Sequence, residues 1–199
     1  MHYTIPAITH ENDISRCPAF PIQNFHWRCT QYPKAEGRLA VLNHDALVIR
    51  LSCCEHTPQK TYTEHFSPVY KDSALEAFFQ FDTASGIYMN FEFNANGAVL
   101  AMSGCSRENR RRLDPDSIDA LNIKAEESKD GWSITFILPL FVIQKIIPNF
   151  SLESGQTFKF NFYKISESPE IEHYASLTKI HSDVPDFHRP CDFAEAVIA

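Results

Sequence analysis

The sequence predicts an all-β protein, a β-sandwich of two antiparallel sheets. Three observations carry that expectation. Eight extended runs of strand chemistry follow one another at short spacing, each bounded by turn residues. Helical signals are confined to 114–121, behind an Asp cap, and to 138–147, stopped by Pro148, so one or two short helices are expected. Twelve prolines against six glycines in 199 residues indicate rigid turns and few flexible linkers. No compositional break divides the chain, so residues 1–199 are expected to form one domain, with loops longer than a minimal sandwich needs.

Taken in order, "GRLAVLN" (37–43) and "ALVIRLSC" (46–53) are apolar runs joined by a turn at "NHD" (43–45). In "ALEAFFQF" (74–81), Leu75, Ala77, Phe79 and Phe81 fall on one side of an extended chain; Glu76, Phe78 and Gln80 fall on the other. "GIYMNFEFN" (86–94) repeats the design, with Met89, Phe91 and Phe93 opposed to Tyr88, Asn90, Glu92 and Asn94. Together with "AVLAMSG" (98–104) it flanks "ANG", a second hairpin. "WSITFILP" (132–139) follows, and then "TFKFNFYKI" (157–165) sets Phe158, Phe160 and Phe162 against Lys159, Asn161 and Tyr163. "HYASL" (173–177) closes the series.

Three strands therefore pair a Phe-rich core face with an outward face of amides, carboxylates and tyrosines, expected to be open and wet. Amides and carboxylates grip adjacent hydroxyls, and rings cover the apolar C–H face of a sugar, so the set suits a polyhydroxylated, uncharged ligand. An ordinary solvated sheet face alternates in the same way.

Charge narrows the partners. The formal charge of −7 repels phosphate backbones, which argues against nucleic acid. The one basic knot, "RENRRR" (107–112), runs straight into "LDPD" and reads as a solvated loop. No apolar run approaches the ~20 residues that span a bilayer. The N-terminus shows neither a basic n-region nor an apolar h-region, and six cysteines lack Cys-x-x-Cys spacing, so reduced thiols in a cytoplasm are expected.

The stretches "VYKDSALEAFF" (69–79), "YMNFEFNANG" (88–97), "GWSITFILPL" (131–140), "FKFNFYKI" (158–165), "HYASL" and "PDFHRPCDF" (185–193) resemble, in order, those of family 9 carbohydrate-binding modules and their DOMON-like relatives, over roughly residues 30–193. The resemblance implies an immunoglobulin-like β-sandwich that binds mono- or oligosaccharide and catalyses nothing, and that serves polysaccharide catabolism beside a glycoside hydrolase. It implies two aromatic rings clamping a sugar, with carboxylate and amide partners beneath. Tyr70 stands at one clamp position and Glu76 at the carboxylate. The second clamp position, at the end of "HYAS", holds Leu177 where relatives carry Trp; Tyr174 or Tyr163 would have to substitute. Glu76, Asn90, Glu92 and Asn161 are the hydrogen-bonding candidates. No catalytic residue and no cofactor is expected; the resemblance admits a structural calcium, for which Asp72, Asp114 and Asp116 are the available oxygen ligands.

Rival readings remain beside this one. Trp132 opens a strand and reads as a core anchor rather than a stacking platform, whereas Trp27 reads either way. His173, His181 and His188, with Asp183 and Asp186, lack zinc spacing; His188 and Arg189 are expected to satisfy backbone groups while Phe187 and Phe193 plug the sandwich. A glycoside hydrolase would use Glu76 and Glu92 as its carboxylate pair, but an open sheet face offers no desolvation to raise an acid's pKa. An assembly module, with homodimer formation and a vestigial sugar site, would accommodate Leu177.

Overall fold

The computed structural model describes residues 2–199. Its strands run as β1 (His2–Ile5), β2 (Ala7–Ile8), β3 (Phe20–Ile22), β4 (Asn24–Phe25), β5 (Ala35–Leu42), β6 (Ala46–Cys53), β7 (Ala74–Gln80) and β8 (Tyr88–Asn94). They continue as β9 (Val99–Gly104), β10 (Arg111–Arg112), β11 (Lys124–Ser128), β12 (Gly131–Pro139), β13 (Thr157–Ser166), β14 (His173–Ser176) and β15 (Ala194–Ile198). Two short helices, α1 (Pro115–Asp119) and α2 (Leu140–Gln144), fall within the two helical stretches expected. Asp114 caps α1 by accepting from the Ser117 N–H.

One sheet runs β1-β15-β13-β7-β8-β9-β10, with β14 further along the same edge of β13 and β4 beyond β14. The other runs β11-β12-β6-β5-β2, with β3 also on β5. The sheets are antiparallel, as expected from the sequence, except at two places: β1 pairs with β15, and β2 with β5, in parallel. Residues 2–8 cause this. They finish the edge of one sheet, cross at Pro6 and finish the edge of the other, so the Ile5 carbonyl accepts from Ala199 N–H and the Pro6 carbonyl from Val41 N–H.

Between the sheets lies the Phe-rich core. Phe79, Phe91, Phe93, Phe160 and Phe162 from one sheet meet Leu39, Leu47, Ile49, Ile134 and Phe136 from the other, all fully buried. Gly37 makes room for this packing, since a Cβ there would lie 2.3 Å from the Phe162 ring. Trp132 is a core residue as expected, and its indole N–H donates to Glu55 at 3.0 Å.

The opposite face of the first sheet corrects the sequence reading. It is neither open nor wet. Glu76, Gln80, Asn90, Glu92, Asn94, Asn161 and Tyr163 are all buried. The segment 177–193 crosses over this face and presses Ile180, Phe187 and Phe193 against Phe78, Tyr88, Tyr163 and Tyr174. The Phe187 ring stacks on Tyr163 at 4.2 Å. Phe187 and Phe193 thus cover the sheet from outside and do not plug the space between the sheets. Burying rings in this way contributes about 1.5–3 kcal/mol each, enough to close most of a polar face on which Asn90, Glu92, Asn94, Asn161 and Tyr163 find partners within the protein.

Candidate functional site

The covering segment does not close the whole face. A cavity of about 310 Å³ remains between the 177–193 segment, the strands β7 and β8, and the loop that follows β9. Trp27, Tyr70, Tyr174 and Phe187 contribute aromatic rings to its lining, and Glu76 and Glu92 contribute carboxylates from the strands beneath. Arg107 and Arg110 reach it from the loop, while Leu100 and Ile165 supply apolar surface.

The two glutamates sit directly opposite in the β7–β8 register. Glu92 is well supported: Asn90 donates to its Oε1 at 2.9 Å, and Arg110 Nη1 lies 3.6 Å from the same oxygen. Arg110 also donates to Asn90 Oδ1 at 3.2 Å, so the amide orients both charges. Glu76 has no such partners. It is 2% exposed, yet no hydrogen bond or ion pair meets its carboxylate. No fully enclosed side-chain oxygen among the described residues lacks a partner, so the Glu76 oxygens open onto the cavity.

Electrostatics follow from that burial. Loss of solvent pushes the Glu76 carboxyl well above its ordinary value, reinforced by the charges of Glu92 and Glu167 and opposed by Arg110 and Lys164. Burial also pushes Glu92 up, to about 7, against the pull of Arg110. His188 is held neutral, its pKa lowered to about 2 by burial and by the nearby Arg110 and Arg107, and its Nδ1 shares a 3.0 Å hydrogen bond with Tyr88 Oη.

Local structure explains these placements. At Gly104 a Cβ would lie 2.4 Å from the Asn109 carbonyl oxygen, so only glycine lets the 105–110 loop fold back and carry Arg110 over β8. Trp27 takes a left-handed backbone, φ 54°, uncommon outside glycine. It is held there by an indole N–H donated to the Ser182 carbonyl at 2.9 Å and by rings of Tyr174 and Phe187, each 5.4 Å away. Tyr70 lies in a turn of 3-10 helix, Val69–Lys71, and its carbonyl accepts from Glu167 N–H.

Of the residues expected to bind sugar, the cavity gathers Tyr70, Glu76, Glu92 and Tyr174, and Trp27, Asp186, Phe187 and His188 line it as well. The others lie elsewhere. Asn161 is engaged with Thr178, to which it donates at 2.7 Å and from whose N–H it accepts at 3.2 Å. Tyr163 donates to the Phe187 carbonyl at 3.1 Å. Asn90 holds Glu92 and Arg110 without lining the cavity. Leu177, at the position expected for a clamping ring, is buried in the core instead. The basic knot is not simply a solvated loop, because Arg110 is 12% exposed and reaches the cavity. His188 satisfies Tyr88 rather than a backbone group, and Arg189 pairs with Asp192 at 2.9 Å.

Two of the three calcium candidates are otherwise engaged, and the third, Asp116, is exposed on α1. Asp72 accepts from Thr61, Tyr62 and Asn94, and Asp114 caps α1 and pairs with Lys145. Among the described residues, no three His, Cys, Asp or Glu side chains group in a way that would hold a metal ion.

A β-sandwich with a ring-lined, carboxylate-bearing cavity on one sheet is the architecture of a carbohydrate-binding module. The chain belongs to carbohydrate-binding family 9, whose model matches residues 5–198. Its fold is similar to that of a candidate carbohydrate-binding protein from Bacteroides uniformis, with a TM-score of 0.86 and 18% identity, over 100% of this chain and 98% of that one. It is also similar to a family 9 module from Caldicellulosiruptor kristjanssonii in complex with glucose, with a TM-score of 0.69 and 11% identity, over 100% and 95% of the two chains. The same Caldicellulosiruptor family in complex with cellotriose matches with a TM-score of 0.67 and 13% identity, over 100% and 91%. No curated protein sequence matches.

The protein is therefore a carbohydrate-binding module, and it binds without catalysing. The desolvated carboxylate pair that a hydrolase would need is present, contrary to the sequence argument against one, but in a family of binding modules.

Proposed function

We propose that the cavity over β7 and β8 is the sugar site, and that it takes a single sugar or the end unit of an oligosaccharide. The observation that carries this reading is Glu76, a buried carboxylate opening onto the cavity with no partner. A buried polar group without a partner costs about 1–3 kcal/mol, which vicinal hydroxyls would recover on binding. Glu76 and Glu92 accept from hydroxyls, Arg110 donates, and the rings of Tyr70, Trp27 and Tyr174 cover C–H faces. Asn90 positions the charges, and Asn161 and Tyr163 hold the covering segment. The complexes of related modules with glucose and cellotriose support a glucose-type ligand.

No cofactor takes part in this reading. A reducing, cytoplasmic setting belongs to this reading, on the sequence argument from six cysteines without Cys-x-x-Cys spacing. A module that binds without cleaving acts through the enzyme it accompanies, which favours a place beside a glycoside hydrolase in polysaccharide breakdown.

Isothermal titration with mono- and oligosaccharides, including glucose and cellotriose, tests the site on wild type and on Glu76→Ala. Binding lost in the variant is the expected result. Binding that survives moves the site elsewhere. Silence across the panel favours the assembly reading, with the cavity as a vestige.

A further inference from the structure

The cavity carries more negative charge than recognition of a neutral sugar requires. Five carboxylates line it, those of Glu76, Glu92, Glu108, Glu167 and Asp186, against the guanidiniums of Arg107 and Arg110. The imbalance is greatest at the buried end. There Arg110 is committed to Asn90 and Glu92, and Glu76, facing Glu92 across adjacent strands, has no cation of its own.

Every other group packed around Glu76 leaves this unchanged. Tyr163, its partner on β13, is a phenol committed to the Phe187 carbonyl. Lys164 is turned to the inner side and committed to Ser73, His173 and Glu55. Glu167, beyond the end of β13, adds another negative charge, as does Asp186 from the covering segment, whose His188 is neutral.

A buried charge is tolerated when paired, and is otherwise neutralised by a proton. A metal ion does not fit, because no suitable cluster of ligands exists among the described residues. What does fit is a cation carried on a polyhydroxylated ring: its ammonium meets the carboxylates, its hydroxyls meet the remaining oxygens, and the surrounding rings favour both a C–H face and a positive charge. Trp27, Tyr70 and Tyr174 supply those rings.

Resting on the sugar-site reading, we infer that the module selects an amino sugar, a hexosamine with a free ammonium group, over its neutral counterpart. In the empty site a proton occupies the Glu76–Glu92 pair. The ammonium takes that place, so binding near neutral pH releases a proton to solvent.

The test uses three β-1,4-linked disaccharides that differ only at C2: the glucosamine dimer, cellobiose and the N-acetylglucosamine dimer. Titration calorimetry is run on the full chain at pH 7 and pH 5, in two buffers of different ionisation enthalpy. At pH 7 the glucosamine dimer is expected to bind about tenfold or more tightly than cellobiose, in keeping with one added charge-assisted hydrogen bond. It releases protons, and cellobiose does not. At pH 5, with the pair more fully protonated, the advantage shrinks; acetylation removes it at both pH values.

Glu76→Gln, neutral and of the same shape, is expected to equalise the two unacetylated dimers. The wild-type pH comparison stands whether or not that variant folds. Cellobiose binding at pH 7 as tightly as the glucosamine dimer overturns the inference while leaving the sugar site intact. The inference also fails if the amine's advantage is the same at both pH values or survives in Glu76→Gln. Failure of all three disaccharides to bind overturns the inference together with the site.

Discussion

Glu76 and Glu92 face each other across β7 and β8, and only Glu92 has a cation in reach, Arg110 at 3.6 Å. This asymmetry sets the pH behaviour of the empty protein. Both carboxyls are raised in the folded chain from an ordinary value of 4.5, Glu92 to about 7. As pH rises from about 4.5 to 7 the unfolded chain gives up these protons first, so the folded state, which binds more of them, loses stability. Glu76→Gln removes much of that loss. Urea unfolding at pH 8 is expected to show the variant about 1–3 kcal/mol more stable than wild type, and at pH 4.5 nearly equal to it. A variant less stable at pH 8 would show that Glu76 is paired in the empty protein.

Arg110 separates site chemistry from bulk charge. Its guanidinium meets Asn90 and Glu92, whereas Arg111 next to it is exposed on β10. Arg110→Ala is expected to weaken sugar binding roughly 10- to 100-fold, through the lost donor and the charge left on Glu92. Arg111→Ala changes binding by less than about twofold. Calorimetry on both variants checks this, and equal losses would point to a general field instead of a placed donor.

The fold was far more legible in the sequence than the site. Period-two alternation marked β7, β8 and β13, because core rings on one side of an extended chain leave a plain trace, and apolar runs between turn residues marked β5 and β6. The short edge strands β1 to β4 left none, since their pairing partners lie far off in the chain, β15 for β1 and β14 for β4. The buried polar face misled for a physical reason. Alternation shows that a face is polar but cannot show that residues 177–193 will cover it. The cover itself announced the correction, because Ile180, Phe187 and Phe193 in a loop need apolar surface to bury against. Arg110 escaped notice because its place depends on the tight fold of the loop over Gly104, a contact that lies in backbone geometry and not in composition.

That cover gives a further expectation. Phe187 stacks on Tyr163 at 4.2 Å and touches Trp27 and Tyr174 as well. Phe187→Ala is expected to cost about 3–5 kcal/mol and to loosen the cover. Hydrogen exchange should quicken at Thr178 and His181, whose N–H groups bond to Asn161 and Asp192. The central strands β6 and β12 should exchange no faster than the global loss of stability requires. Uniform acceleration throughout the chain would show that cover and sandwich unfold as one unit.

The inner side of the same sheet, one residue along β13 from the Tyr163 that pairs with Glu76, holds a second buried charge, Lys164, whose ammonium is fully enclosed. It donates to Ser73 at 2.5 Å and to Nε2 of His173 at 2.8 Å, and stands 3.6 Å from Glu55. The imidazole must therefore carry its proton on Nδ1, which lies 2.6 Å from the Ile171 carbonyl. Burial first, and the Lys164 charge second, lower the His173 pKa from 6.5 to about 3. Between those values the unfolded chain binds the proton and the folded chain does not, so this histidine makes stability fall as pH drops from 6.5 towards 3, the opposite slope to the Glu76–Glu92 pair. Removing the ammonium strands a buried carboxylate, so Lys164→Met is expected to cost about 3–5 kcal/mol at pH 7. Removing both charges, in Glu55→Gln with Lys164→Met, should cost less than Lys164→Met alone, because no unpaired charge is left. Urea titrations of the three chains check the ordering, and a double variant less stable than the single one would show that Glu55 is held chiefly by Trp132 and Ser73.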